Sequence, residues 1–159
     1  MVGDIGCGVG SFTFPIARAV GKTGKVYAVD IQAKMIEVVR RHMADPKENP
    51  YGNVTALVSR VDDATIPAET LDVVWLSQVH FHNFPDLLEA NRRMIRSVFT
   101  CLKPGGRLVI GDETSDMTPH PEPQIARHYQ EAGFVLEKGP ERDPLIATTF
   151  YFWFHRPAR

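Results

Sequence analysis

The chain has 159 residues, 43% of them hydrophobic and 23% charged, with a formal net charge of -1. That length suits one globular domain with a real core, and the near-neutral balance gives no reason to expect nucleic acid or an anionic membrane as partner. Two cysteines, Cys7 and Cys101, are too few for a disulfide framework or a zinc site by themselves, which points to a reduced, cytoplasmic setting. No apolar run approaches the roughly 20 residues that span a bilayer.

In chain order, short apolar runs alternate with amphipathic stretches, the pattern of a mainly parallel sheet covered by helices. Met1 to Ile5 is the first strand, followed by a glycine-rich turn at Gly6, Gly8 and Gly10 and a helix that Ser11 can cap. Lys25 to Val29 is a β-branched second strand, and Met35, Ile36, Val38, Val39 and Met43 recur at helical spacing. That helix must stop before Pro46. Val54 to Val58 and Leu71 to Leu76 are the third and fourth strands.

Asn83 and Pro85 start a helix whose apolar face runs from Phe84 to Leu102 and which Pro104-Gly105-Gly106 breaks. Arg107 to Ile110 is a fifth strand, Gln124 to Ala132 a helix closed by Gly133, and Phe134 to Glu137 and Thr148 to His155 the last two strands. The final strand is apolar almost throughout, as expected for one covered on both faces. The segment before it holds Gly139, Pro140 and Pro144 and cannot supply the helical crossover of a parallel connection, so this strand is expected to run antiparallel. A strand that starts at residue 1 reads as a minimal or N-terminally truncated version of a larger fold, here one domain over residues 1–159.

The chemistry concentrates in Asp4-Ile5-Gly6-Cys7-Gly8-Val9-Gly10. Glycines there permit positive φ and close approach of a ligand, and the following helix aims free N–H groups at it. A carboxylate just ahead of the turn repels a pyrophosphate but suits a ligand with ammonium and sulfonium groups, which favours S-adenosylmethionine over NAD. Asp30 ends the second strand, where an acid accepts hydrogen bonds from ribose hydroxyls or caps the next helix. Ile31 then packs on adenine, and Asp63 accepts its amino group, beside Asp62 and Ala64. Ser77 and Gln78 follow the fourth strand at the carboxyl edge of the sheet, where open α/β sheets bind ligands.

These segments, with Val-Tyr-Ala-Val-Asp, Asp-Asp-Ala-Thr-Ile-Pro, Leu-Asp-Val-Val-Trp and Leu-Lys-Pro-Gly-Gly-Arg-Leu, resemble the class I S-adenosylmethionine-dependent methyltransferases, close to the ubiquinone/menaquinone and small-molecule group. The resemblance implies a Rossmann-like three-layer α/β sandwich with sheet order 3-2-1-4-5-7-6. It also implies that the glycine turn with Asp4 and Cys7 holds the methionine end, Asp30 the ribose and Asp63 the adenine. Helices that usually precede the first strand in that family have no counterpart here. A partner subunit, a homodimer among the possibilities, or a large substrate would then cover the site.

Methyl transfer needs an aligned acceptor and, for some acceptors, a base. His80 and His82 after strand four are the candidate bases, each also readable as a structural loop histidine, and Asp112 and Glu113 after strand five are candidates for the acceptor. His120 and Tyr129 are further candidates at the site's mouth. A metal bound by His80, His82, His120 and Asp112 has no second feature in its favour, and no metal is expected. Cys7 is expected to serve as a small residue in the turn, without a nucleophilic role. Arg92, Arg93 and the tail from Arg156 to Arg159 read as solvated basic faces. The rival readings are a non-catalytic S-adenosylmethionine-binding module and an NAD-dependent oxidoreductase. A nucleic-acid methylase would show a basic stripe or an Asn/Asp-Pro-Pro-Tyr motif, and neither is present.

Overall fold

The computed structural model describes residues 1–79, 88–114 and 122–158. Seven strands form one sheet: β1 (Val2–Ile5), β2 (Val26–Asp30), β3 (Val54–Val58), β4 (Leu71–Ser77), β5 (Leu102–Glu113), β6 (Val135–Arg142) and β7 (Thr149–His155). Their order is β3-β2-β1-β4-β5-β7-β6. The first five strands pair in parallel, and β7 pairs antiparallel with both β5 and β6. The order and the reversed last strand are those expected from the sequence.

Among the described residues four helices cover the sheet: α1 (Thr13–Val20), α2 (Ala33–Met43), α3 (Leu88–Cys101) and α4 (Glu122–Glu131). α1 and α2 bury Phe14, Ala17, Ile36 and Val39 against Val26, Ala28 and Val54. α3 and α4 pack Met94, Ile95, Val98, Ile125 and Tyr129 on Leu76, Leu108, Ile110 and three phenylalanines of β7. The result is three layers with a separate core on each side of the sheet. Among the described residues no helix is long and apolar enough to cross a membrane.

Four local expectations are corrected. α1 starts after Phe12, not Ser11, and has no side-chain cap. Thr13 spends its hydroxyl on Asp4 instead, and Pro15 sits in the first turn, where its missing N–H costs nothing. The Pro104-Gly105-Gly106 break lies inside β5 as a bulge: Leu71 pairs with Leu102 but Val73 with Arg107, so three extra residues loop out between them. Arg156 is no solvated tail residue, because its guanidinium donates to the carbonyls of Phe99 at 3.1 Å and Thr100 at 3.3 Å and to Glu69 at 3.1 Å, closing the end of α3.

The fourth concerns β7. Phe150, Phe152 and Phe154 are buried toward α3 and α4, whereas Tyr151 and Trp153 are half-buried on the opposite face. The strand is therefore covered on one face, and its continuous apolar character comes from aromatic rings that pack on one another, Tyr151 with Trp153 and with Trp75 at 6.1 Å each.

Candidate functional site

The carboxyl ends of β1, β2 and β4 and the turn after β3 meet in a crevice of about 190 Å³. Its walls are Ile5, Gly6, Asp30, Ile31, Gln32, Ser59, Val61, Gln78, Val79 and Met94. The floor is made by the glycine turn. Gly6 has φ +77, and a Cβ there would stand 2.3 Å from Val79 Cγ2, so only glycine lets the chain bend under the crevice. Gly8, at φ +53, faces open space, with nothing within 4 Å of where its Cβ would be. Backbone bonds from Gly6 and Cys7 to the Val29 carbonyl hold the turn against β2.

Asp30 is 8% exposed and ties two elements together. One carboxylate oxygen accepts from the Gly8 N–H at 2.9 Å and the other from the Gln32 N–H at 2.8 Å. A carboxylate has about four acceptor positions, so two remain for hydroxyl donors in the crevice. Asp30 therefore braces the turn before α2 without capping it, since the N-cap is Gln32 and has no side-chain cap. Ile31, 46% exposed, stands on the rim as an apolar wall.

Asp4 does not line this crevice. It is 2% exposed under α1, where it accepts a short hydrogen bond from the Thr13 hydroxyl. Burial, opposed by Thr13 and reinforced by the charge of Asp30, pushes its carboxyl up to about 6. The charge argument against a pyrophosphate therefore loses its direct contact, and the acid serves as an internal tie from β1 to α1. Cys7 is buried beside it, its thiol pushed up to about 12 by burial and then by Asp4 and Asp30, so it stays protonated and unreactive. Gly10 lines a different surface groove, next to Phe14 and His42.

The segment after β3 also differs from expectation. Asp63 accepts from the Thr65 N–H at 2.8 Å and the Ser97 hydroxyl at 2.9 Å and pairs with Arg60 at 2.8 Å. The Thr65 bond, above the others, holds its carboxyl below the usual range. Asp62 pairs with Arg93 at 3.0 Å, and Ala64 is fully buried. These three build the turn and its joint to α3, while Ser59 and Val61 supply the crevice wall. No sequence signal marks those two apart from their place just past β3. Val79 and Met94 were hidden for another reason: they reach the crevice from the β4 end and from α3 as ordinary apolar residues.

Gln78 has φ +54, donates its N–H to the Gly111 carbonyl at 2.9 Å and lines two cavities. The second, also about 190 Å³, is walled by Phe12, Trp75, Ser77, Gln78, Gly111, Asp112, Ile146, Thr149 and Tyr151. Ser77 and Asp112 thus belong to this neighbour rather than to the first crevice, and Asp112 accepts from the Glu113 N–H at 2.8 Å. Glu113 is exposed and lines neither cavity. Tyr129 is buried in the core, its hydroxyl raised by burial and by Asp112, and not at a mouth. His80, His82 and His120 lie outside the described residues. Among the described residues no three metal-ligating side chains converge.

Comparison with known proteins agrees with this fold. The model of a methyltransferase domain family matches residues 2–106, and the chain belongs to that family. It is similar to the ubiquinone/menaquinone biosynthesis C-methyltransferase of Hydrogenovibrio crunogenus, 31% identical over 91% of this chain and 52% of that protein. The demethylmenaquinone methyltransferase of Geobacillus sp. is 31% identical over 98% of this chain and 62% of that protein. The chain thus spans about half the length of the curated relatives it matches. A SAM dependent methyltransferase from Aquifex aeolicus shares the fold, with TM-score 0.76 and 23% identity over 98% of this chain and 81% of that one.

S-adenosylmethionine is the cofactor that this membership indicates, and the crevice fits its nucleoside part. Free acceptor positions on Asp30 match ribose hydroxyls, and Ile31 and Val61 give the apolar walls a purine needs.

Proposed function

We propose that the chain is an S-adenosylmethionine-dependent methyltransferase acting on a small or lipid-like acceptor, and that residues 1–159 form one cofactor-binding domain. The observation that carries this reading is Asp30, fixed at the end of β2 by two backbone N–H groups with acceptor capacity left toward the crevice. Asp30 would hold the ribose, Ile31 and Val61 the base, and the turn at Gly6 and Gly8 the methionine portion. The relatives' names indicate a quinone-type acceptor, to be methylated on carbon. Two free, buried cysteines are consistent with a cytoplasmic setting.

When bound, S-adenosylmethionine supplies a methyl group whose bond to sulfur breaks as the acceptor atom bonds to carbon, leaving the electron pair on S-adenosylhomocysteine and releasing the acceptor's proton. This chain's residues have to align the two partners and keep water away. Gln78, on the wall of both cavities, is placed to align them. From the sequence, His80 and His82 remain the proposed bases.

Calorimetric titration with S-adenosylmethionine, S-adenosylhomocysteine and NAD tests the reading. Roughly micromolar binding of the first two is expected, weakened at least tenfold (about 1.4 kcal/mol) in Asp30→Ala, with circular dichroism verifying that the variant is folded. Binding of NAD with no response to S-adenosylmethionine would end it. Binding without turnover over a panel of acceptors would instead favour a non-catalytic module, a reading that the chain's half-length match keeps in view.

A further inference from the structure

We infer that the second cavity is a seat for a flat, uncharged aromatic ring, and that Phe12, Trp75 and Tyr151 determine which acceptor the protein takes. This rests on the reading that the neighbouring crevice holds S-adenosylmethionine, with Gln78 the wall residue that the two have in common.

Three facts define the ligand. The first is size: about 190 Å³ is comparable with the roughly 150 Å³ apolar cavity known to take up benzene, so one or two fused rings fit and a peptide or nucleic-acid strand does not. The second is the form of the wall. Phe12 and Trp75 have ring centroids 5.0 Å apart at 47°, and Trp75 and Tyr151 are 6.1 Å apart at 39°. Rings this close touch one another and make a continuous platform, leaving no central space for a cation to be enclosed by separate faces. Stacking on such a platform suits a planar π-system.

The third is charge. Among the described residues no Lys, Arg or His lines the cavity, and its one carboxylate is Asp112. Asp112 pairs with Phe150, whose side chain faces α4, whereas its neighbour Gly111 pairs with Tyr151 on the platform side. Alternation along β5 therefore turns the Asp112 side chain away from the platform. Ser77 and Thr149 leave only neutral hydroxyl groups at the edge. The platform is also held in place. Tyr151 donates its hydroxyl to Asp143 at 3.1 Å, and the same carboxylate accepts from the Leu145 and Ile146 N–H groups at 2.8 and 3.0 Å. Ile146 thereby closes the outer wall, and Leu145, 92% exposed, extends an apolar ledge beyond it.

The test is an NMR titration of the full chain, reading the two tryptophan indole N–H signals and assigning Trp75 by loss of the other in Trp153→Phe. The probes are 1-naphthol and, separately, choline. Naphthol is expected to shift the Trp75 signal saturably, with affinity falling at least fivefold in Phe12→Ala and in Tyr151→Leu. S-adenosylhomocysteine, titrated separately, should bind both variants within twofold of the parent chain. The inference is overturned if naphthol leaves the Trp75 signal unmoved, binds both variants as well as the parent, or is outcompeted by choline. Failure of S-adenosylhomocysteine to bind the parent chain strikes the cofactor reading alone, because the naphthol signal reports the platform directly.

Discussion

The two wings of the sheet solve different problems. In the β3-β2-β1 wing, small and β-branched residues such as Val26, Ala28, Val54 and Ala56 lie under α1 and α2, close enough for the glycine turn to touch β2 through backbone bonds. In the β4-β5-β7-β6 wing, α3 and α4 bury one face, and the other carries Trp75, Tyr151 and Trp153 half-buried. Backbone groups and one acid at the first wing suit a ligand that is always the same. Large side chains at the second suit a ligand that varies from protein to protein, because substituting them leaves the crevice in place. On the proposed reading the backbone-built crevice takes the cofactor and the aromatic cavity the acceptor, with Gln78, after β4, on the wall of both.

Neighbouring residues on β7 give the strongest test of that contrast. Phe152 is 1% exposed and packs on Phe150 and Phe154 at 5.8 Å each. Phe152→Ala is expected to lower stability by about 3–5 kcal/mol, the usual loss for a buried phenylalanine. Trp153→Ala, one residue along, removes a larger ring from the open face, where Lys138 lies over it at 5.2 Å, and is expected to cost only about 1–2 kcal/mol. Urea unfolding of the two variants measures both. Equal losses would mean that the aromatic face is as tightly packed as the core, and the division between wings would not stand.

A smaller effect is expected where the end of β7 is tied back to α3. Arg156 adds to its four side-chain hydrogen bonds, the fourth to the Leu102 carbonyl at 2.5 Å, a stacking contact over the Phe99 ring at 4.9 Å, and its side chain is 14% exposed. Arg156→Ala is expected to cost about 2–3 kcal/mol, since charged hydrogen bonds to the Phe99, Thr100 and Leu102 carbonyls are lost together. Arg156→Lys should recover only part of this, because an ammonium cannot reach several carbonyls with one planar fork. Full recovery in the same unfolding measurement would reduce the residue to a point charge.

Much of this was legible before any coordinates. Strand order and the antiparallel β7 follow from the resemblance and from Gly139, Pro140 and Pro144, which deny the last connection a helix. The place of Asp30 at the end of β2 was legible, and the structure adds the two backbone N–H groups that fix it. Asp4, Asp62 and Asp63 share an ambiguity: an acid beside a binding loop looks the same in sequence whether it faces the ligand or fastens the loop. Thr13, Ser97 and Arg93 fasten them, and Ser97 and Arg93 come from α3, more than thirty residues from the acids they hold. The alternation in β7 was hidden because six successive residues from Thr149 to Phe154 include five aromatics, and nothing in composition says which face a helix covers.

The prediction that most directly probes the first wing concerns Asp4. Its carboxyl rises from 3.8 in the unfolded chain to about 6 in the folded one. Between those values the folded state holds the proton more tightly, so stability is highest below about pH 4 as far as this group is concerned and falls as pH rises through the window. Above about pH 6 the full cost applies, up to about 3 kcal/mol at 1.36 kcal/mol per unit. Asn removes the charge while its amide oxygen still accepts from the Thr13 hydroxyl. The stability of Asp4→Asn relative to the parent chain should therefore increase by about 1–3 kcal/mol between pH 4 and pH 7.5, measured as a difference of urea unfolding curves so that other groups cancel. A difference that stays flat with pH would show that the carboxylate is as well solvated under α1 as it is in the unfolded chain, and that the tie between β1 and α1 carries no buried charge.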